Sequence, residues 1–152
     1  MQADCTFCQI VSGELSADYV DEDERTVAFM DFNPATLGHL LVVPRRHTPD
    51  VMSASEEDWL AVATTARRMA RWAIGAFKAG GVDLLQANSD GVAGAQTIFH
   101  LHVHVVPRYH DDPLGQWWTQ QTADPAEITE AARRLIEFGR RDPEGVRPAA
   151  WA

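Results

Sequence analysis

The chain is short of positive charge, of cysteine and of long apolar runs, and each shortage removes a class of function. Its 152 residues carry 13 basic against 22 acidic side chains, for a formal net charge of −9 with histidine neutral. A duplex-binding surface needs a basic stripe to displace counterions, so duplex nucleic acid is not an expected partner. An anionic ligand must then be held by a local pocket rather than by the general field. No apolar run approaches the ~20 residues that cross a bilayer, and no membrane association is expected. The opening residues Met1-Gln2-Ala3-Asp4 have neither the basic start nor the apolar segment of an export signal, so the cytoplasm is the expected compartment. Two cysteines in such a chain are expected to be thiols or metal ligands rather than a disulfide. No internal repeat is visible, and the length suits one well-cored domain better than two.

Hydrophobic periodicity gives a coarse map. Cys5 to Ile10 reads as a short helical turn stopped by Gly13. Tyr19-Val20, Thr26 to Asp31 and Gly38 to Pro44 read as strands, with a turn at Asn33-Pro34. From Ser55 a long amphipathic helix is expected, with Leu60, Ala63, Ala66, Met69, Ala70, Ala73, Ile74 and Phe77 on its apolar side. Ser53 with Glu56 reads as a capping box, and Gly80-Gly81 as the stop. Val82 to Asn88 reads as a strand, followed by a glycine-containing loop to Gln96. Beyond Pro107 the character changes: Trp117-Trp118 fall in a loop, and Asp124-Pro125-Ala126-Glu127 opens a second helix bearing Ile128, Ala131, Leu135 and Phe138. The expected fold class is α+β, an antiparallel sheet of about five strands with one long helix packed on it and a C-terminal helix. The expected organisation is a domain over 1–109, a C-terminal extension over 110–141 packed on it, and a loose tail over 142–152.

The chemistry concentrates in the run Ile98-Phe99-His100-Leu101-His102-Val103-His104-Val105-Val106-Pro107. As a strand, it sends the three imidazoles to one face and Leu101, Val103 and Val105 to the other, into core. Imidazole gains or loses a proton, attacks an electrophile or binds a metal near neutral pH, and wetting a strand face requires none of this. Two readings compete. Three histidines suffice for a catalytic metal site, although no carboxylate lies close in sequence to support it. Alternatively, a histidine attacks phosphorus, and the preceding loop with Gly91, Gly94, Gln96 and Thr97 supplies backbone N–H groups, an amide and a hydroxyl suited to a phosphate. Separately, Cys5-Thr6-Phe7-Cys8 sets two thiols one helical turn apart. Structural zinc is one reading, with two further ligands available from His47 and the triplet; two buried unliganded thiols and a redox pair are the others.

The segment His100-Leu101-His102-Val103-His104-Val105-Val106 resembles the motif of the histidine triad superfamily. Cys5-Thr6-Phe7-Cys8-Gln9-Ile10, Ala28-Phe29-Met30-Asp31, Gly38 through His47, and Gly94-Ala95-Gln96-Thr97-Ile98-Phe99 fall in the order and approximate spacing of its Hint-like branch. The resemblance covers residues 1–109. It implies that His102 is the nucleophile on the α-phosphorus of a nucleotide, with His104 and His39 orienting the imidazoles and hydrogen-bonding the phosphate. It gives Gln96 and Thr97 to the phosphate or the leaving group, Asn88 to a phosphate oxygen, and Asp31 to the ribose hydroxyls. Phe7, Ile10, Leu15 and Phe29 would form an apolar slot for the purine, of AMP or GMP type. In zinc-bearing relatives the ligands correspond to Cys5, Cys8, His47 and His100, which sends His100 to structural zinc and His102 to chemistry. A homodimer is implied as well. The loop from Asn88 to Gln96 and the segment after Tyr109 are longer than in small members of the branch, and the bacterial-type sequence Val105-Val106-Pro107-Arg108-Tyr109 leads into that extension.

The expected function is therefore hydrolysis or transfer of a nucleoside monophosphate group through a covalent nucleotidyl-histidine. The substrate would be a nucleoside phosphoramidate or a related nucleotidyl compound such as a dinucleoside polyphosphate. A nucleotide-binding or partner-binding module with negligible turnover is the alternative, and a metal hydrolase using all three histidines is a third reading.

Overall fold

The computed structural model describes residues 2, 4–90 and 96–115, together with positions 126 and 129. The glycines 91 and 94, the tryptophan pair, the C-terminal helix and the tail anticipated above lie outside the described residues, apart from those two positions, which are helical and exposed. By compactness the chain divides into Met1–Pro113 and Leu114–Ala152. All the described strands lie in the first of these units.

Five antiparallel strands form one sheet in the order β1-β2-β3-β5-β4: β1 (Tyr19–Glu22), β2 (Thr26–Met30), β3 (Leu40–Pro44), β4 (Gly81–Leu85) and β5 (Val103–Arg108). A short helix α1 (Thr6–Ser12) precedes the sheet, and the long α2 (Glu56–Phe77) connects β3 to β4. The α+β class is as expected. No helix among the described residues is long and apolar enough to cross a membrane.

Strand alternation assigns the two faces. Ala28, Leu40, Val42, Val103 and Val105 point one way and pack on Val62, Ala66, Met69 and Ala70 of α2. Val27, Phe29, Leu41 and Val43 point the other way and pack on Cys5, Phe7, Cys8 and Ile10 from the α1 segment. With helices on both sides, β2 and β3 are buried almost throughout, which is why their sequences run apolar rather than alternating.

Several boundaries differ from expectation, each for a local reason. The cap of α2 is Ser55, whose hydroxyl accepts the Asp58 N–H at 3.1 Å, not Ser53. The helix ends at Phe77 with Lys78 in the left-handed region at φ 54°, two residues before Gly80. Its buried stripe runs Asp58, Val62, Thr65, Ala66, Met69, Ala70, Ala73, so Leu60 and Ile74 are exposed. Two polar residues hold places in that stripe because each has a partner: Thr65 bonds Thr26 hydroxyl to hydroxyl at 2.9 Å, and Asp58 pairs with Arg46. Strand β4 stops at Leu85, where Gln86 and Asn88 bond to each other and Asn88 accepts the Val51 N–H at 2.9 Å. The histidine strand is also shorter than expected. Pairing begins only at Val103, so His104 alone of the triplet lies within it. Before it the chain turns tightly, with the His100 N–H on the Ile98 carbonyl, and is held by the Leu101 N–H on the Thr48 carbonyl.

Replacing Ser55 with Ala should cost about 1 kcal/mol of stability, the usual worth of an N-cap hydroxyl. Ser53→Ala should stay within about 0.5 kcal/mol, as a change away from such features does. Urea unfolding of the two variants checks the assignment, and a larger loss at position 53 would contradict it.

Candidate functional site

His104 pairs in register with Leu41 of β3, so its side chain lies on the α1 face of the sheet. The other imidazoles gather there. The ring centroids of His102 and His104 are 5.0 Å apart, and those of His39 and His104 are 5.1 Å apart. Phe7 of α1 packs edge-on against His102 at 5.3 Å, His100 at 5.9 Å and Phe29 at 5.5 Å. His39 arrives from the β2–β3 loop, immediately before β3, and Asp31 from the other end of that loop.

Backbone partners determine which nitrogen of each neutral ring carries its proton, because an amide can only donate and a carbonyl only accept. The Ala35 N–H donates to His39 Nδ1 at 3.0 Å, which puts the His39 proton on Nε2. That proton faces His104 Nδ1 at 2.9 Å, so His104 accepts there and carries its own proton on Nε2. His102 Nδ1 lies 2.7 Å from the His100 carbonyl and must donate to it. Its Nε2 is left with an available lone pair, the electronic requirement of a nucleophile.

Burial lowers the pKa of His102, with the bond to the His100 carbonyl and the Asp31 charge opposing the shift. His104 is pushed to about 4 by burial and then by His102 and His39, again with Asp31 opposing. His39 is lowered by burial against the same carboxylate. All three rings are therefore neutral at pH 7. The Asp31 carboxylate lies 3.5 Å from His39 Nε2 and 3.7 Å from His104 Nδ1. Asp31, His39 and His104 present three ligand atoms close together. A cation there would need a lone pair on His39 Nε2, and the Ala35 amide on Nδ1 forces the proton onto that nitrogen. The tautomer frame thus disfavours a metal at this group.

A second group is built differently. Cys5, Cys8, His47 and His100 place their donor atoms within 4.8 Å of one another. His100 Nδ1 is 3.5 Å from Cys5 Sγ and 3.6 Å from Cys8 Sγ, and His47 Nδ1 is 3.4 Å from Cys8 Sγ. Ligands on the edge of a zinc tetrahedron, at the usual Zn–S and Zn–N lengths, are about 3.6 Å apart. His100 Nε2 donates to the Pro44 carbonyl at 2.9 Å, so its Nδ1 lone pair faces the thiols, the outer bond that metal-bound histidines ordinarily make. Burial raises the Cys5 thiol and lowers His47 and His100, His100 to about 4. The donor set fits a zinc ion.

The remaining residues singled out from the sequence have varied surroundings. Phe7, Ile10 and Phe29 form one buried apolar cluster, while Leu15 is 36% exposed. Gln96 is buried and its amide is spent on backbone: it accepts from the Ser89 N–H and donates to the Pro49 and Ile98 carbonyls. Asn88 is engaged with Val51 and Gln86. Thr97 is exposed and lines a cavity of about 280 Å³ with Cys5, Thr6, Ile98 and Phe99. Sequence reasoning passed over the Ala35 amide and the Pro44 and His100 carbonyls, which no side-chain identity announces. It also passed over Phe32, an aromatic 59% exposed one residue beyond Asp31.

This fold and this gathering of histidines define a class. Residues 12–111 match the HIT domain, and the chain belongs to that family. The structure is similar to that of a protein from Streptococcus mutans, with a TM-score of 0.82 and 31% identity over 90% of this chain and 86% of the other. A zinc-bound histidine triad family protein from Mycobacterium smegmatis matches at 0.69 and 33%, covering 91% of this chain and 98% of its own. A hypothetical histidine triad nucleotide-binding protein from Sulfolobus tokodaii matches at 0.66 and 30%, over 91% and 96%.

The buried histidines make stability depend on pH with a definite sign. An unfolded imidazole takes up its proton near pH 6.5, about where the free side chain titrates. His104 in the fold resists until about 4. Between those values the unfolded state binds more protons, so stability is fully present above the upper value and is lost as pH falls toward the lower. The thermal midpoint should decline across this window in the wild type and less steeply in His104→Gln. Parallel profiles would contradict a buried neutral His104.

Proposed function

We propose that the protein is a hydrolase or nucleotidyl transferase acting at the α-phosphate of a purine nucleotide derivative, a nucleoside phosphoramidate or a related nucleotidyl compound. One observation carries the reading: the His102 Nδ1–H bond to the His100 carbonyl, which leaves the Nε2 lone pair available beside two further imidazoles. His102 Nε2 forms a bond to phosphorus as the bond to the leaving group breaks. The leaving group departs with a proton, and His104 Nε2–H is the nearest such donor the tautomers supply. Water then attacks phosphorus, the N–P bond breaks and the nucleoside monophosphate is released. His39 holds His104 in its tautomer, and the Phe7, Ile10 and Phe29 cluster forms the apolar floor on which the base rests, with Leu15 at its rim. Asp31 serves the ribose hydroxyls. Thr97, Gln96 and Asn88 belong to the loop on the phosphate side, with the Gln96 amide bracing its ends at Ser89 and Ile98 and Asn88 tying it to Val51 and Gln86. A family neighbour named as nucleotide-binding supports the ligand class.

Zinc held by Cys5, Cys8, His47 and His100 is part of the same reading, supported by the donor geometry and by the zinc-bound neighbour. When bound, the ion supplies cross-linking charge to two thiolates and no reacting atom. The domain over 1–109, an extension over 110–141 that bears on leaving-group choice, and a homodimer in the cytoplasm complete the proposal. One observation favours a binding module with negligible turnover instead. Gln96 and Asn88, read as donors to the phosphate, have their amides engaged within the protein.

Mass spectrometry of the intact protein, quenched at alkaline pH after brief mixing with an adenosine phosphoramidate, separates the two. A transient AMP adduct on wild type, absent from His102→Ala, is expected, with turnover in the variant reduced by several orders of magnitude. Equal nucleotide binding by both proteins with no adduct and no product would establish the module. Zinc analysis of the purified protein should give about one ion per chain, lost in Cys5→Ser/Cys8→Ser together with part of the thermal stability.

A further inference from the structure

The carboxylate of Asp31 does not face outward with both oxygens available to a ribose. Oδ1 accepts the Asn33 N–H at 2.8 Å. Oδ2 lies 3.5 Å from His39 Nε2 and 3.7 Å from His104 Nδ1. The loop that places the carboxylate also places one of the rings, because the Ala35 amide of the same loop orients His39. Only 16% of the Asp31 side chain is exposed, so its charge acts on the rings with little screening by water.

Proton counting shows what that charge is needed for. With both rings neutral, a single proton lies across the 2.9 Å contact between His39 and His104. If His104 then gave its Nε2 proton to a leaving group, it would be left an anion in a buried site. To avoid this the pair must first carry one proton more, on His104 Nδ1. Two N–H groups would then oppose each other across that contact unless an acceptor takes one of them. Asp31 Oδ2 is the acceptor within reach of both.

We infer that Asp31 is a positioning residue that lets the His39–His104 pair hold the proton destined for the leaving group. The inference rests on the reaction proposed above. The protons balance over the cycle. The His104 Nε2 proton goes to the departing atom as its bond to phosphorus breaks, leaving His104 neutral with its proton on Nδ1 against Asp31. The water that later attacks phosphorus returns a proton to Nε2. Burial opposes a charged pair, while Asp31 favours the charged form of both rings. Among the described residues, the titratable groups facing the pair are Asp31, from the β2–β3 loop, and His102, from the segment ahead of β5.

Asp31→Asn keeps an oxygen for the Asn33 amide and removes the charge. Two measurements on the full chain test the role. The first is kcat/KM of wild type and variant on an adenosine phosphoramidate and on its 2′,3′-dideoxy counterpart. A loss of about tenfold to a hundredfold is expected on the dideoxy substrate as well, where no ribose contact can be lost, a share of what general acid catalysis supplies. A loss confined to the ribose-bearing substrate would overturn the inference and leave Asp31 as a sugar clamp alone. The second is a 15N NMR titration of the imidazoles, in which His39 and His104 should titrate at lower pH in the variant. An unchanged titration would overturn the role whether or not the protein turns over either substrate. Absence of turnover and adduct in wild type would instead count against the proposed reaction, with the titration still deciding the part played by Asp31.

Discussion

A main-chain amide can only donate and a main-chain carbonyl can only accept, and the histidine face of this protein is organised by that constraint. Three such groups, the Ala35 N–H and the carbonyls of Pro44 and His100, leave the His39, His100 and His102 rings one neutral form each. The His104 form follows from His39 in turn. Four rings of identical chemistry thereby acquire different duties without any difference in residue type. One turns Nδ1 to a pair of thiols, one donates from Nδ1 and keeps a lone pair on Nε2, one accepts at Nδ1 and carries its proton on Nε2, and one donates to that ring.

His100 joins the two groups. Its ring faces Cys5 and Cys8, its carbonyl takes the His102 proton, and its amide closes the tight turn on Ile98. The thiol end of the molecule and the His102 ring are therefore linked through this one residue, two positions from His102 in sequence. Phe7 adds a second link, since its ring lies edge-on to both His100 and His102. The α1 segment, only seven residues long, thus supplies packing for the histidines as well as proximity for the two cysteines that flank its start.

The architecture was legible because burial on both sides of a sheet writes strong signals. Leu40 to Pro44 and Thr26 to Met30 run apolar, and α2 repeats at helical spacing, so element types and the α+β class followed from pattern. The HIT family was legible in the alternation of His100, His102 and His104 with apolar residues. Strand ends were less so. The alternation of residues 98 to 102 reads as strand in the sequence, yet no partner strand pairs with them: the chain turns at Ile98–His100 and is tied by the Leu101 N–H to the Thr48 carbonyl. The engagement of Gln96 and Asn88 was not legible for a related reason. An amide suits a phosphate and a backbone equally well, and only the fold decides which is nearer. Ser53 and Ser55 illustrate the same limit at a helix start: both are competent caps, and the chain direction entering α2 selects one.

Gly38 carries a consequence for how this site changes over time. Its φ is +85°, and a Cβ there would meet the Phe77 ring at 2.5 Å. The loop bearing Asp31 and His39 is in this way seated against the last turn of α2, thirty-nine positions along the chain. A larger residue at 38 would need both a smaller one at 77 and a different backbone path. A substitution at position 38 or 77 would thus reach the next residue, His39, and through the loop Asp31 at its other end, although neither side chain is one of the clustered groups.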